Sequence, residues 1–266
     1  MNILVRELKG NWRSLVAWSV VLAGLGLMVM AIYPSFAADQ ARLQQFLEAY
    51  PQEFLEALGL ERLNFGEPVG FYGTEVYLMV TLFGGIYAAM LGAGLLAKEE
   101  DEKTIEFLLA RPVSRTSMLT QKLATYVLYL VAFNAVIGLV GRASFAAFVE
   151  QPYSGKALLL LTVAPVFLHL ALASVGFLSA LFWTRRRAVY SVGIGLVVGT
   201  YFLGVISRLS ERLEWLGWLS PFRYVEAADI VGSESLNPGY IAVLLGVSAV
   251  AVAAAFVLYR RRDITV

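Results

Sequence analysis

Six stretches of this chain contain no Asp, Glu, Lys or Arg over 19 to 28 residues, and this pattern limits the fold more than any other feature. The runs are Ser14–Ala38, Val76–Ala97, Leu123–Gly141, Ala157–Thr184, Ala188–Ser207 and Ser235–Tyr259. Each is long enough to cross a bilayer, which takes about 20 apolar residues in a helix. Lipid cannot satisfy free backbone N–H and C=O groups, so we expect helices that close their own hydrogen bonds. The sequence predicts an all-α, polytopic membrane protein with six transmembrane helices in one transmembrane domain, residues 1–266.

The distribution of charge predicts which ends of these helices face the cytoplasm. Fourteen Lys and Arg residues belong to one side, formed by both termini, the loop 98–122 and Arg185–Arg187, whereas the other side holds seven. We call these sides the basic end and the acidic end, because 13 of the 20 acidic residues lie on the second side. The positive-inside rule places the basic end in the cytoplasm. We therefore predict a cell (inner) membrane protein with cytoplasmic termini, whose first run is too long for a cleaved signal peptide.

Several activities are excluded by what the sequence lacks. It has no cysteine and one histidine, which excludes thiolate and multi-histidine metal sites. No G-x-x-x-x-G-K-[ST] motif occurs, so the chain is not expected to bind or hydrolyse ATP itself. A net charge of +1 gives no sign of nucleic-acid binding. We predict that the chain is not an enzyme, binds no metal or other cofactor, and interacts with the lipid bilayer but not with nucleic acid.

Two segments at the acidic end are long enough to form short helices. Residues 39–73 carry apolar residues at three- and four-residue steps, which predicts an amphipathic helix pair interrupted near Pro51. Residues 208–234 contain Trp215 and Trp218, and Trp side chains favour the headgroup level. We interpret both segments as surface elements rather than as ligand sites.

The loop 98–122 carries the most specific pattern in the chain. Its acidic start favours a helix N-terminus, where carboxylates meet the positive end of the helix dipole. Ile105, Leu108 and Leu109 then share one face of a short amphipathic helix. Pro112 ends that helix, and Ser114 is well placed to cap the helix that leads into the third run. The sequence therefore predicts a short helix joined by a sharp turn to a membrane helix.

The apolar face of that short helix must pack on something. It could lie on the inner membrane surface, or it could dock into a groove of a cytoplasmic protein. A dense acidic cluster is unfavourable beside anionic headgroups, which favours a protein partner.

The loop resembles that of the permease subunits of ABC-2 type transporters, of the six-span kind that is encoded apart from its ATPase. Their signature is an acidic run, a Thr, Leu-Leu, Pro-Val-Ser-Arg and a later Lys. Where a Gly often precedes the Thr in that family, this chain has Lys103. The matching residues are Glu99–Lys103, Thr104, Leu108, Leu109, Pro112–Arg115 and Lys122, together with Ser220–Phe222 and Tyr224 before the last run and Arg261–Asp263 after it.

The resemblance implies that this chain is half of the translocation pathway of an ATP-driven exporter. The loop would be the coupling helix, seated in a cytoplasmic ABC ATPase subunit that uses ATP and Mg, and a second copy or a homologous permease would complete the pathway. The residues that the resemblance assigns to the ATPase contact are Glu99, Glu100, Glu102, Thr104, Ile105, Phe107, Leu108, Leu109, Arg111, Pro112 and Arg115.

Other interpretations rest on the polar residues of the apolar runs. His169 is the only ionisable residue within a run, and with Asn134 it is a candidate for substrate binding. We favour a structural role for both, since polar contacts between membrane helices are common. Glu75, at the acidic boundary of the second run, is expected to be solvated. An ATP-independent secondary transporter is the alternative function, but it would usually need charged groups in its spans; a non-transporting membrane sensor or scaffold is another.

Overall fold

The computed structural model describes residues 3–38, 51, 63–101, 114–183 and 185–261. In these ranges the chain is helical and contains no strand, which confirms the predicted fold class. Six helices are long and apolar enough to cross a membrane. The chain is therefore an all-α, multi-pass membrane protein.

The helices alternate in direction between the two ends of the bundle. Their bounds are α1 Ile3–Ala38, α2 Pro68–Phe71, a π-helical turn Tyr72–Val76, α3 Tyr77–Asp101, α4 Arg115–Phe148, α5 Gly155–Ser179, α6 Arg186–Ser207, α7 Ala227–Ser233 and α8 Pro238–Arg261, with 3₁₀ helices at Ala180–Phe182, Glu211–Leu219 and Pro221–Val225. The six spanning elements are α1, the continuous stretch from α2 to α3, α4, α5, α6 and α8.

Helices α3 and α5 form the centre of the bundle. A Cβ placed on Gly92 of α3 would lie 2.0 Å from the carbonyl oxygen of Ala173, and one placed on Gly176 of α5 would lie 2.4 Å from that of Ala89. The two backbones therefore touch directly, which is the use of small residues in membrane helix packing. Helix α1 packs on α4, α8 on α5 and α6 on α3.

The peripheral helices turn most of their surface outward. In the most apolar 18-residue window of α1, α6 and α8, only 22% of the residues are buried, against 67% in the span that contains α3. Large apolar side chains such as Val20, Leu139 and Val250 are at least 65% exposed. Such a surface suits lipid rather than water.

The helices extend beyond the charge-free runs that predicted them, mostly at the basic end. Helix α1 begins at Ile3 rather than near Ser14, and α4 begins at Arg115 rather than near Leu123. Helix α4 also continues past Arg142 to Phe148, so the connection to α5 is shorter than the predicted loop. Charged residues end an apolar run but do not interrupt backbone hydrogen bonding, which is why the run lengths underestimate the helices.

The acidic end is only partly described. Within the predicted segment 39–73, the amphipathic helix pair falls largely on residues outside the described ranges, while Leu63 and Phe65 are buried. Segment 208–234 consists of two 3₁₀ helices and α7. Trp215 and Trp218 are more than half exposed, as a surface element requires, but Val225 is buried. The segment is therefore partly tucked into the bundle.

Candidate functional site

The loop 98–122 is described only at its two bases. Eight of its predicted contact residues lie outside the described residues: Glu102, Thr104, Ile105, Phe107, Leu108, Leu109, Arg111 and Pro112. Glu99 and Glu100 belong to the last turn of α3, but their side chains are not among those described. The structure describes the chain up to Asp101 and again from Ser114, so the residues around these two points define the support of the loop.

Ser114 caps α4, as the sequence predicts. Its hydroxyl oxygen accepts a hydrogen bond from the backbone N–H of Ser117 at 3.1 Å, which satisfies one of the unpaired N–H groups of the first turn. The 34-residue membrane helix therefore has a defined, capped beginning at the end of the loop.

Two turns further along α4, Lys122 is completely buried. Its ammonium group lies 3.4 Å from a carboxylate oxygen of Glu7 in α1, which is also completely buried. The same ammonium donates a hydrogen bond to the carbonyl oxygen of Leu95 in α3. One charged side chain therefore ties together the beginnings of α1 and α4 and the end of α3.

Further contacts fix α1 against α4 at this level. The side-chain oxygen of Gln121 accepts a hydrogen bond from the backbone N–H of Leu4 at 3.1 Å, and the Tyr129 hydroxyl donates to the carbonyl oxygen of Leu8. The carboxylate of Glu7 accepts from Arg6 at 3.1 Å and from the Asn11 amide at 3.4 Å. Glu7 thus has several donors around it, which a buried carboxylate requires.

Two more helices are fastened to the bases of the loop. A carboxylate oxygen of Asp101 accepts a hydrogen bond from the backbone N–H of Arg186 at 3.3 Å, so an anion sits at the N-terminus of α6. Arg115, the first residue of α4, donates from its guanidinium to the carbonyl oxygen of Tyr259 at 3.2 Å, near the end of α8. Five of the six spanning elements therefore meet around the loop's two bases. We call this set, Glu7, Leu95, Asp101, Arg115, Lys122, Arg186 and Tyr259, the basal frame.

Sequence reasoning missed the central pair of this frame. It placed Glu7 in a cytoplasmic tail and Lys122 in a loop, and it treated His169 as the only ionisable residue within a span. One sequence signal could have placed both residues in the membrane helices: helix-forming residues continue from Glu7 and from Lys122 into the apolar runs that follow them. Of the predicted contact residues, the structure shows the side-chain contacts of Arg115 alone.

The two candidates for substrate binding, His169 and Asn134, contact each other. His169 is completely buried, with Nδ1 3.1 Å from the side-chain oxygen of Asn134 and Nε2 3.1 Å from the carbonyl oxygen of Val80. The Asn134 amide also donates to the carbonyl oxygen of Leu130 at 2.8 Å. These polar contacts join α3, α4 and α5 in the middle of the bundle, which is a structural role for both side chains.

The glycine patches differ from one another. A Cβ on Gly84 would lie 2.7 Å from the His169 ring, and one on Gly85 would lie 2.8 Å from Leu172, so both glycines allow close packing of helices within the chain. Gly195 and Gly199 of α6 have open space instead: no atom of another described element lies within 4 Å of the Cβ position of either.

A comparison with family models agrees with this architecture. The model described as "ABC-2 family transporter protein" matches residues 1–264, which is nearly the whole chain. No curated protein shows a significant match to the sequence.

Proposed function

The chain belongs to the ABC-2 transporter family and is a membrane permease component, and we propose that it couples to a separate ATPase subunit through the loop 98–122 to drive export. In this proposal the basic end is cytoplasmic, the membrane is the cell (inner) membrane, and the partner supplies ATP hydrolysis with Mg. The chain contributes the helices that form half of the pathway.

The observation that carries the proposal is the basal frame beneath the loop. A loop that must transmit force needs rigid attachment at both ends. Here the outgoing end is held by the hydrogen bond from Lys122 to the carbonyl oxygen of Leu95 and by the hydrogen bond from Arg186 to Asp101. The incoming end is capped at Ser114 and held by Arg115. Movement of the loop would therefore reach five spanning elements at once, since packed helices transmit strain rather than absorb it.

The apolar stripe of the loop supplies the proposed contact surface. Ile105, Leu108 and Leu109 would fill a groove on the ATPase, which is how an amphipathic helix binds a partner. The acidic residues before the stripe would set its orientation, because charged rims contribute more to specificity than to affinity.

A second copy of this chain is the proposed partner along α6. The exposed face of α6 includes Ser191, Ile194, Gly195, Gly199 and Phe202, which recur at three- and four-residue steps. Gly195 and Gly199 have the spacing of a small-xxx-small motif, and open space lies beside both within the described chain. This arrangement is suited to close packing of another helix, and a homodimer would place two copies of the loop on the same side of the membrane.

Co-purification with the ATPase tests the coupling proposal. The wild-type chain and a Leu108→Asp/Leu109→Asp variant are each expressed with an ABC ATPase subunit from the same genome, extracted in detergent and captured through a tag on the permease. We expect the wild type to retain the ATPase and its activity. The variant should insert normally but lose the partner, because both substitutions lie outside the predicted spans.

A conservative double substitution in the acidic run of the same loop is the control. Glu99→Asp/Glu100→Asp keeps the charge and the stripe and should retain the ATPase. If the Leu108→Asp/Leu109→Asp variant keeps the partner as well as the wild type does, the loop is not the docking element. Transport that depends on a proton or sodium gradient alone would favour a secondary transporter instead.

A further inference from the structure

The acidic end contains a cavity of about 250 Å³ between α3, the end of α6 and the 3₁₀ helix Pro221–Val225. It is distinct from the basal frame, which lies at the opposite end of the bundle. Its lining combines apolar and aromatic side chains with three charged ones, Glu75, Arg208 and Glu226. The pairing of these three charges determines which kind of ligand the cavity can bind.

Most polar atoms of the walls are already used within the protein. The Tyr77 hydroxyl donates to the carbonyl oxygen of Val225 at 2.7 Å, and the hydroxyls of Thr74 and Thr81 donate to carbonyl oxygens one turn back in their own helix. The remaining surface is formed largely by Leu78, Tyr201 and other apolar residues. A ligand would therefore meet mainly aromatic and aliphatic walls.

Two of the three charges cancel. The guanidinium of Arg208 lies 3.6 Å from a carboxylate oxygen of Glu226, and both residues line the cavity. The third charge, Glu75, is half-buried and forms no hydrogen bond or ion pair with any residue that the structure describes. Among the residues that the structure describes, the cavity thus carries one carboxylate without a charged partner. This differs from the sequence expectation, which placed Glu75 in solvent.

The local backbone explains how Glu75 comes to line the cavity. Residues Tyr72–Val76 form a single π-helical turn between α2 and α3. A π turn inserts one residue and rotates the side chains before it relative to those after it, and such turns occur frequently at functional sites.

We propose that this cavity binds a small organic monocation, such as a quaternary ammonium ion with an aromatic or aliphatic substituent, whose charge lies against Glu75. The apolar part of the ligand packs on Tyr201 and Phe222, since aromatic rings attract cations as well as apolar groups. The volume limits the ligand to something smaller than a typical drug. Identification of this ligand as transported cargo rests on the proposed function; the binding itself does not.

Binding to the purified full-length chain, without any ATPase, tests the site. The probe is radiolabelled benzyltrimethylammonium, and the competitor is neopentylbenzene, which has the same shape with carbon in place of the charged nitrogen. We expect saturable binding that the neutral compound does not displace. Glu75→Gln should weaken it about tenfold or more, because it removes the charge partner from a partly desolvated site.

Three further variants keep the test decisive. Glu150→Gln removes an exposed carboxylate at the same end and should bind as the wild type does. Glu75→Asp keeps the charge and should retain most of the affinity. Val205→Phe fills the cavity without a change in charge and should abolish binding even if Glu75→Gln fails to fold.

Equal binding by wild type and Glu75→Gln, or equal affinity for the neutral compound, would overturn the inference, and the second result would indicate a site for apolar or lipid chains. Absence of saturable binding to the wild type would also overturn it. None of these outcomes bears on retention of the ATPase, so the coupling proposal stands or fails separately.

Discussion

Glycine residues lie in different surroundings in the central α3–α5 pair and in the peripheral helix α6. Gly92 and Gly176 bring the two central backbones into contact, whereas Gly195 and Gly199 face open space within the described chain. The central pair is thus complete in one chain. Helix α6 has a similar surface of small residues that no described side chain covers, and this is the surface on which we propose that a second copy packs.

The largest expected loss of stability comes from a substitution of Lys122, the buried cation that joins α1, α3 and α4. Lys122→Met would remove the buried ammonium partner of Glu7 and leave the carboxylate only the partly exposed Arg6. Breaking a fully buried pair typically costs about 3–5 kcal/mol in the free energy of unfolding, and we expect a loss up to this size. Thermal unfolding of the purified chain in detergent measures this loss.

The double variant Glu7→Gln/Lys122→Met should recover much of the stability lost in Lys122→Met, because no unpaired charge remains. The control Lys156→Met, at an exposed position, should change the unfolding free energy by less than about 0.5 kcal/mol. A Lys122→Met protein as stable as the wild type would show that the buried pair does not hold the frame together.

A smaller loss is expected where α3 and α5 touch. Gly92→Ala places a methyl group against the carbonyl of Ala173, and a backbone atom cannot move aside as a side chain can. We expect a loss of about 1–3 kcal/mol in the same unfolding assay. Gly246→Ala on α8, where the described chain leaves space for a methyl group, should be neutral or slightly stabilising. Equal melting of both variants would contradict the close contact of α3 with α5.

His169 should have a structural effect of about 1 kcal/mol. His169→Leu removes the contacts with Asn134 and Val80, and hydrogen bonds between membrane helices contribute about 0.6 kcal/mol on average. Asn134→Leu should cost about as much, and the double variant little more than either single one, since the two side chains share one bond. Loss of transport with unchanged melting would instead indicate a role in substrate binding.

Substitution on the open face of α6 should leave the monomer unchanged. Gly199→Leu should not alter its melting temperature, because the side chain enters free space. It should weaken pairing of two permease copies about tenfold or more, which energy transfer between labelled chains in liposomes measures. Gly246→Leu, on the exposed face of α8, is the matched control and should pair normally. Unchanged pairing of Gly199→Leu would place the interface elsewhere, and pairing only with a homologous permease would indicate a heterodimer.

The spans could be predicted from sequence because the bilayer imposes a length and a composition on each one. The Ser114 cap could also be predicted, since capping depends on residues within one turn of each other. The ends of the helices could not, because backbone hydrogen bonding continues through charged residues such as Arg115 and Arg142.

The pairing of Glu7 with Lys122 could not be derived from the sequence in the same way. The two residues are 115 positions apart, and their contact depends on how α1 packs against α4. The position of Glu75 likewise depends on a π-helical turn, and no local sequence pattern predicts that turn. A contact between neighbouring residues, such as the Ser114 cap, could therefore be predicted from the sequence. The Glu7–Lys122 pair and the position of Glu75 depend on tertiary packing and required the structure.

Labelling of a single cysteine in the loop tests the central claim most directly. The natural chain contains no cysteine, so Leu109→Cys introduces a unique thiol without any other change. In proteoliposomes with the basic end accessible, a membrane-impermeant maleimide should label this thiol rapidly in the permease alone and slowly once the ATPase is bound. Equal labelling with and without the ATPase would contradict docking through the apolar stripe, and protection in the absence of the ATPase would show that the stripe lies against lipid or its own bundle.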